Sequence, residues 1–210
     1  MTTVHLTIGN RRYSSWSLRG WLAARLAGFE PQTEVIWLDE PGYKQALAAA
    51  SPGRTVPTLR HGEVAIWDSL AIGLYLAEQK PRLWPSDPLL RAQAYAVTAE
   101  MHASFPAVRQ ALPMDLGRPI EARALDEAVT AEVARLVEIW SRPAVAGGDF
   151  LFGAPCLADC FYAPVASRFR TYAVPLEGRA AAYAETLLSW PLFLEWEAEA
   201  AKETHVIANP

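Results

Sequence analysis

The sequence predicts an α/β domain followed by an all-helical domain. In the first part of the chain, short segments rich in β-branched residues alternate with amphipathic helical segments. Residues 81–88 then contain three prolines and read as a linker. Beyond them, long helical patterns continue without a convincing strand. The predicted domains are therefore residues 1–80 and residues 89–210, joined by residues 81–88.

The elements of the first domain follow the order β-α-β-α-β-β-α. Strands are predicted over residues 4–8 and 34–38 and on both sides of the turn at Gly62, because these segments alternate apolar and polar residues. Helices are predicted over residues 16–28, 43–50 and 68–79. This order matches a thioredoxin-like domain, in which helices cover a mixed sheet.

Five helices are predicted in the second domain, over residues 89–112, 120–141, 157–170, 179–188 and 191–202. Cys156 and Cys160 are four residues apart, which is a poor spacing for a disulfide, and they lack the further ligands of a metal site. They are expected to be small buried side chains. The four histidines are also isolated from one another, so no metal site is predicted.

The composition is that of an ordinary globular protein. The chain has 210 residues, of which 51% are hydrophobic and 20% are charged. A net charge of −4 argues against nucleic acid or an anionic membrane as the main partner. No apolar run approaches the length of a membrane span, and the first residues do not resemble a signal peptide. A cytoplasmic protein is expected.

Residues 55–72 contain two features suited to binding a peptide-like ligand. Pro57 lacks a backbone N–H, so it fits the first residue of a strand or a cis bond in a tight bend. The bend would leave the N–H and C=O of Val56 free to pair with an extended ligand. Asp68 and Ser69 stand where a helix begins, a site that favours a ligand carboxylate. The alternative is that one of them simply caps the helix.

These residues resemble the glutathione-binding half of glutathione transferases. The resemblance rests on Val56-Pro57-Thr58-Leu59, on the pair Asp68-Ser69, and on the run at residues 71–78. It implies a cis bond before Pro57 and pairing of the Val56 backbone with the cysteinyl part of glutathione. Asp68 and Ser69 would hold the γ-glutamyl end. Arg54 is the main candidate for the glycyl carboxylate, with Lys44 and Gln45 as further candidates.

The segment from Tyr13 to Arg19 is similar to the serine-type motif of the zeta and tau classes of this family. In that motif the catalytic serine stands five residues before a helical arginine, which selects Ser14. Its hydroxyl would donate a hydrogen bond to the thiol of glutathione and so favour the thiolate. Ser15 is the second candidate, and Tyr13 fits less well. Either serine could also merely cap the helix.

The resemblance extends into the second half, where residues 150–159 match the segment that opens a buried core helix in the family. Cys156 stands at the cap position, normally serine or threonine, so a weakened reciprocal bond with Asp159 is expected. The electrophile is expected to lie near Trp16, Met101, Phe105 and Arg109, with His102 close by. The same spacing of three and four residues is also what ordinary core packing requires.

The resemblance implies a glutathione transferase that conjugates the glutathione thiolate to a small hydrophobic electrophile, as in detoxification. It further implies a homodimer, with glutathione as co-substrate and no metal. One alternative is a glutathione-dependent cis-trans isomerase of the maleylacetoacetate type, although Trp16 replaces the cysteine of the usual zeta motif. Another is a non-catalytic transferase-like binding protein. Because no cysteine precedes Cys156, thiol-disulfide exchange by a cysteine at the Ser14 position is excluded.

Overall fold

A four-stranded sheet organises the first part of the chain. A computed structural model describes residues 3–142 and 148–207. The strands in these ranges are β1 Val4–Gly9, β2 Gln32–Ile36, β3 Thr58–His61 and β4 Val64–Trp67. Their order is β2-β1-β3-β4. β1 is parallel to β2 and antiparallel to β3, and β3 is antiparallel to β4. The predicted mixed sheet is confirmed.

Three helices accompany the sheet: α1 Ser15–Leu26, α2 Tyr43–Ala50 and α3 Ser69–Gln79. α1 and α3 pack against each other and against the sheet. Their buried leucines and isoleucines, among them Leu18 and Ile72, join Leu6 and Ile8 of β1 in one apolar core. α2 buries only Leu47. The core therefore holds the start of α1 firmly beside the end of β1.

The rest of the chain is helical. It contains a short 3-10 turn at Pro81–Leu83 and the helices α4 Pro88–Ala103, α5 Pro106–Ala111, α6 Glu127–Trp140, α7 Leu157–Thr171, α8 Gly178–Ser189 and α9 Pro191–Ala200. α7 lies at the centre, since nearly all of its residues are buried and it packs against α1, α4 and α8. The predicted succession of a thioredoxin-like domain and a helical part is confirmed.

Two predicted helices differ from the structure by more than two residues at one end. The helix expected over residues 89–112 is divided into α4 and α5, because Pro106 disfavours helical backbone at Phe105, whose φ is +66°. The helix expected over residues 120–141 begins only at Glu127. Asp126 caps it, since its carboxylate accepts a hydrogen bond from the Val129 N–H at 2.8 Å.

The start of α7 depends on a buried carboxylate. Asp159 accepts hydrogen bonds from the N–H of Cys156 at 2.7 Å, the N–H of Leu151 at 3.3 Å and the Tyr183 hydroxyl at 2.7 Å. Asp159 thus serves backbone N–H groups, as expected, and Tyr183 adds a partner that the sequence does not reveal. Cys156 and Cys160 are both free and buried, as predicted.

No helix within the described ranges combines the length and the apolar character needed to cross a bilayer.

Candidate functional site

The loop between β1 and α1 is fixed by Asn10, which is fully buried. Its side-chain oxygen accepts a hydrogen bond from the Leu38 N–H at 2.9 Å. Its backbone carbonyl accepts from the N–H groups of Tyr13 and Ser14, at 3.2 and 2.8 Å. The loop therefore delivers Ser14 to the start of α1 in a defined position.

Ser14 is the N-cap residue of α1, so its predicted capping role is real. Its Oγ accepts a hydrogen bond from the Ser17 N–H at 3.3 Å and donates one to the Ser17 Oγ at 2.8 Å. The neighbouring Ser15 Oγ accepts a hydrogen bond from Nη2 of Arg168 at 3.1 Å. The partial positive charge of the helix N-terminus favours an anion beside these hydroxyls.

A cavity of about 340 Å³ opens beside these two serines. Its apolar walls are Leu38, Pro113, Met114, Ile207 and the ring of Trp16. Tyr13, Ser14, Ser15, Arg109 and Arg168 supply the polar groups. The cavity therefore joins the loop before α1 to α5, α7 and the last described residues. Its volume suits a small organic molecule.

Two guanidinium groups face this cavity. Arg109 donates hydrogen bonds to the carbonyls of Ser104 at 3.1 Å and His102 at 3.2 Å and to that of Met101, while its Nη1 has no partner among the described residues. Arg168 bonds to the carbonyl of Leu112 and to Ser15. Burial and the neighbouring charge of Arg109 lower the pKa of Arg168 to about 10. Both groups remain cationic at neutral pH, so the cavity favours an anionic group.

Trp16 lies within a cationic cluster. The guanidinium carbons of Arg19 and Arg109 are 4.6 and 4.8 Å from its ring centroid. The ring of His102 meets Trp16 edge-on at 5.3 Å. Burial is the main cause that lowers the pKa of His102, although the nearby Asp68 opposes it. His102 is therefore neutral at pH 7. The ring of Trp16 stabilises the guanidinium groups of Arg19 and Arg109.

The Val56–Pro57 peptide bond is cis, as expected. Neither the N–H nor the C=O of Val56 has a hydrogen-bond partner within residues 3–142 and 148–207. Gly20 of α1 lets the helix approach this turn closely, since a methyl group added there would lie 2.8 Å from Pro57 Cγ. The free backbone of Val56 is thus held beside α1, in a position to pair with an extended ligand.

Asp68 caps α3, accepting hydrogen bonds from the N–H groups of Leu70 at 2.8 Å and Ala71 at 3.3 Å. Its second carboxylate oxygen is 3.5 Å from Nε2 of His102. Ser69 is fully buried, and its hydroxyl has no partner among the described residues. A buried hydroxyl without a partner carries a desolvation cost that a bound polar ligand would remove.

The remaining residues predicted for the site do not line the cavity beside Ser14. Met101 and Phe105 are buried in the core and do not line the cavity beside Ser14. Arg54 is exposed in the turn before Pro57, with a positive φ of +54°. The exposed Lys44 and Gln45 lie on α2.

Sequence reasoning missed Arg168, and it missed the walls formed by Leu38, Pro113, Met114 and Ile207. The one available signal was an arginine within the apolar run of α7, where a buried charge requires partners.

In the described ranges, no three His, Cys, Asp or Glu side chains gather as a metal site would require.

Residues 13–79 match the family model of the glutathione S-transferase N-terminal domain. This part of the chain is therefore similar to the N-terminal domain of glutathione transferases. The resemblance noted from Val56-Pro57 and Asp68-Ser69 is confirmed, because both pairs lie within the matched residues. No curated protein matches the chain by sequence.

Solved structures share the fold of the whole chain. A glutathione transferase homolog from Burkholderia gl BGR1 with bound glutathione is 21% identical, with a TM-score of 0.73 over 97% of this chain and 100% of that one. Maleyl pyruvate isomerase, a bacterial zeta-class protein, is 23% identical, with a TM-score of 0.72 over 96% and 100%. Maleylacetoacetate isomerase from Anaeromyxobacter dehalogenans 2CP-1 is 23% identical, with a TM-score of 0.67 over 100% and 95%. The chain thus has the glutathione transferase fold along its length.

Proposed function

We propose that the protein is a glutathione transferase in which Ser14 holds the glutathione thiolate for attack on an electrophilic carbon. The observation that carries the proposal is the position of Ser14. Its hydroxyl stands at the N-terminus of α1 and lines the cavity shared with the helical part. A hydrogen bond to an anion contributes roughly 1.5–3 kcal/mol, so this donor can lower a thiol pKa by about one to two units.

Groups on the turn before β3 and at the start of α3 provide partners for the rest of glutathione. The N–H and C=O of Val56, which have no partner among the described residues, would pair with the cysteinyl residue. The unpartnered Ser69 hydroxyl and the Asp68 carboxylate would bind the γ-glutamyl end at the start of α3. Arg54 is proposed for the glycyl carboxylate. The solved Burkholderia homolog, which contains bound glutathione, supports this ligand.

The electrophile would occupy the cavity of about 340 Å³, against Trp16 and the other apolar walls. Arg109 and Arg168 favour a substrate that carries a carboxylate in addition to an apolar body. Ser15, which accepts a hydrogen bond from Arg168, keeps its own proton for a ligand. It can therefore contact the sulfur or the second substrate.

The same two arginines favour the isomerase alternative. In that reaction the thiolate adds to a conjugated cis double bond, the new single bond rotates, and elimination returns the thiolate. A carboxylate next to the double bond would pair with the guanidinium groups. The likeness to the two solved isomerases agrees with this reading. Conjugation is distinguished from isomerisation by supplying a chlorodinitrobenzene-type electrophile and maleylacetoacetate in parallel assays.

We also propose a cytoplasmic homodimer. Val64 and Trp67 on β4 and Leu74 on α3 are each about half exposed, at 50, 44 and 47%. Exposed apolar side chains on an edge strand and a helix are candidates for burial against a second copy. Sedimentation velocity measures the state in solution, and a monomer at micromolar concentration would contradict the dimer.

Replacing Ser14 with alanine tests the catalytic proposal. We expect Ser14→Ala to reduce kcat/KM by about tenfold or more, because the thiolate loses its hydrogen bond. Ser15→Ala measured alongside shows which hydroxyl contacts the sulfur. Ser189→Ala is a suitable control, since that serine is exposed at the end of α8 and bonds within its own helix.

Retention on immobilised glutathione, measured together with turnover of an electrophile, separates the enzyme from the non-catalytic alternative. A protein that binds glutathione but turns over no electrophile would be a binding protein. Wild-type kcat/KM in both serine variants would refute a serine-type site.

A further inference from the structure

We propose that Ser17 is a positioning residue that orients the Ser14 hydroxyl toward the sulfur, an inference that rests on the proposed function. Ser17 is fully buried on the first turn of α1 and does not line the cavity. Its Oγ lies 2.8 Å from the Ser14 Oγ and accepts a hydrogen bond from the Gly9 N–H at 3.0 Å. A chain of bonds thus runs from the end of β1 through Ser17 to Ser14.

The number of hydroxyl protons determines the direction of these hydrogen bonds during catalysis. The Ser14 hydroxyl has one proton, and its bond of 2.8 Å with Ser17 uses that proton whenever Ser14 is the donor. It cannot donate the same proton to a thiolate at the same time. Because a hydroxyl is both donor and acceptor, the bond between the two serines can reverse. Ser17 then donates to the Ser14 Oγ, and the Ser14 proton points at the sulfur.

Backbone groups anchor the reversed chain. The Gly9 N–H can only donate, so it occupies the acceptor side of Ser17 in either direction. The Ser17 N–H also donates to the Ser14 Oγ, at 3.3 Å. The Ser14 oxygen would then accept two hydrogen bonds while donating one. Hydrogen bonds in such a chain polarise one another, which strengthens the final donor.

This arrangement makes Ser17 different from an ordinary buried serine. If Ser17 acted only in packing, its loss would lower stability without changing the ionisation of bound glutathione. If it orients Ser14, its loss raises the pKa of the bound thiol. The binding contacts of glutathione with Val56 and Ser69 would stay intact. The expected change therefore falls on kcat and on the pH profile rather than on the KM for glutathione.

The test compares Ser17→Ala with Ser14→Ala and the wild type. The pKa of bound glutathione is measured from the ultraviolet absorbance of the thiolate, and kcat/KM is measured across pH with a chlorodinitrobenzene-type electrophile. We expect Ser17→Ala to lower kcat/KM at neutral pH by roughly two- to tenfold, with a matching shift of the acidic limb to higher pH. Ser17→Thr, which keeps the hydroxyl, should restore the profile. If the alanine variant does not fold, Ser17→Cys replaces it, because cysteine is only a weak donor.

Ser167→Ala is the matched control. Ser167 is also buried, but its hydroxyl donates to the Pro164 carbonyl within α7 at 2.8 Å. It should leave the thiol pKa unchanged. A wild-type thiol pKa in the Ser17→Ala or Ser17→Cys variant, with Ser14→Ala impaired, would overturn the role of Ser17 and leave the proposed function standing. If the wild-type protein itself fails to lower the thiol pKa of bound glutathione, both proposals are overturned.

Discussion

At the proposed glutathione site, single side chains decide how closely neighbouring segments approach each other. Gly20 is the clearest example, because the lack of a side chain brings α1 against Pro57. Ser69 shows the opposite case, in which a side chain is present and fully buried without a partner among the described residues. The first of these features can be tested by adding one methyl group.

We expect Gly20→Ala to weaken glutathione binding several-fold. The added methyl group would lie 2.8 Å from Pro57 Cγ and 3.1 Å from its Cβ, so the turn carrying Val56 must shift. Overpacking of this kind costs about 1–3 kcal/mol, partly offset by the higher helix propensity of alanine. Isothermal titration calorimetry measures the binding.

Gly73→Ala provides the matched control for this variant. It adds the same group to α3, where the methyl would lie 2.6 Å from Leu157. It should lower the thermal midpoint while leaving glutathione affinity near the wild-type value. Equal affinity in the two alanine variants would contradict the role given to Gly20.

At the scale of helices and strands, local signals predicted most of what the structure contains. Alternation predicted all four strands, although β2 begins and ends two residues earlier than expected, and Val56-Pro57 and Asp68-Ser69 indicated the cis bond and the α3 cap. Pro106 also carried the signal that divides the helix expected over residues 89–112, although the prediction did not use it. Contacts between segments distant in sequence could not be predicted. Arg168 meets Ser15 across 153 residues of sequence, and no periodicity reveals that approach.

The helical part offers a pH-dependent test of packing between α4 and α6. Arg135 on α6 binds both carboxylate oxygens of Glu100 on α4, at 2.7 and 3.0 Å. This hydrogen bond is the main cause that lowers the pKa of Glu100 below its ordinary value of 4.5. The pair therefore stabilises the fold above that ordinary pKa, and its contribution is lost as the pH falls through the lowered pKa.

We expect Glu100→Gln to reduce the free energy of unfolding by about 1 kcal/mol at neutral pH. The difference from the wild type should shrink as the pH falls below about 4.5, because Glu100 itself becomes protonated there. Urea unfolding at several pH values measures this. Glu199→Gln, which removes an exposed pair with Lys202 inside one helix turn, should change little. A Glu100→Gln deficit that is constant with pH would exclude the electrostatic explanation.

At the scale of the whole molecule, the last described residues return to the loop before Ser14. The Glu203 carboxylate accepts hydrogen bonds from the N–H groups of Arg11 at 2.9 Å and Arg12 at 3.2 Å. The Ile207 N–H donates to the Tyr13 hydroxyl at 3.1 Å, and Ile207 forms part of the cavity wall. The last described residues thus connect the helical part to the loop that carries Ser14.

We expect Glu203→Gln to lower the free energy of unfolding by about 1–2 kcal/mol, because two partly buried N–H groups lose a charged acceptor. The KM for the electrophile should rise, since the wall formed by Ile207 is no longer held, while the KM for glutathione stays near wild type. Steady-state kinetics with each substrate varied in turn measures both. Glu195→Gln breaks the exposed pair with Arg25 between α9 and α1 and should affect neither constant. Similar kinetics in the two variants would argue against a wall held by Glu203.

The pair of guanidinium groups in the cavity has a practical consequence for anyone assaying the protein. Small inorganic anions such as phosphate or sulfate can occupy the same cationic space as a substrate carboxylate. We expect buffers made from these salts to act as competitive inhibitors of a charged electrophile and to leave a neutral one unaffected. Substrate preferences measured in a phosphate solution would then be biased toward uncharged compounds, and the choice of buffer would decide which substrate looks best.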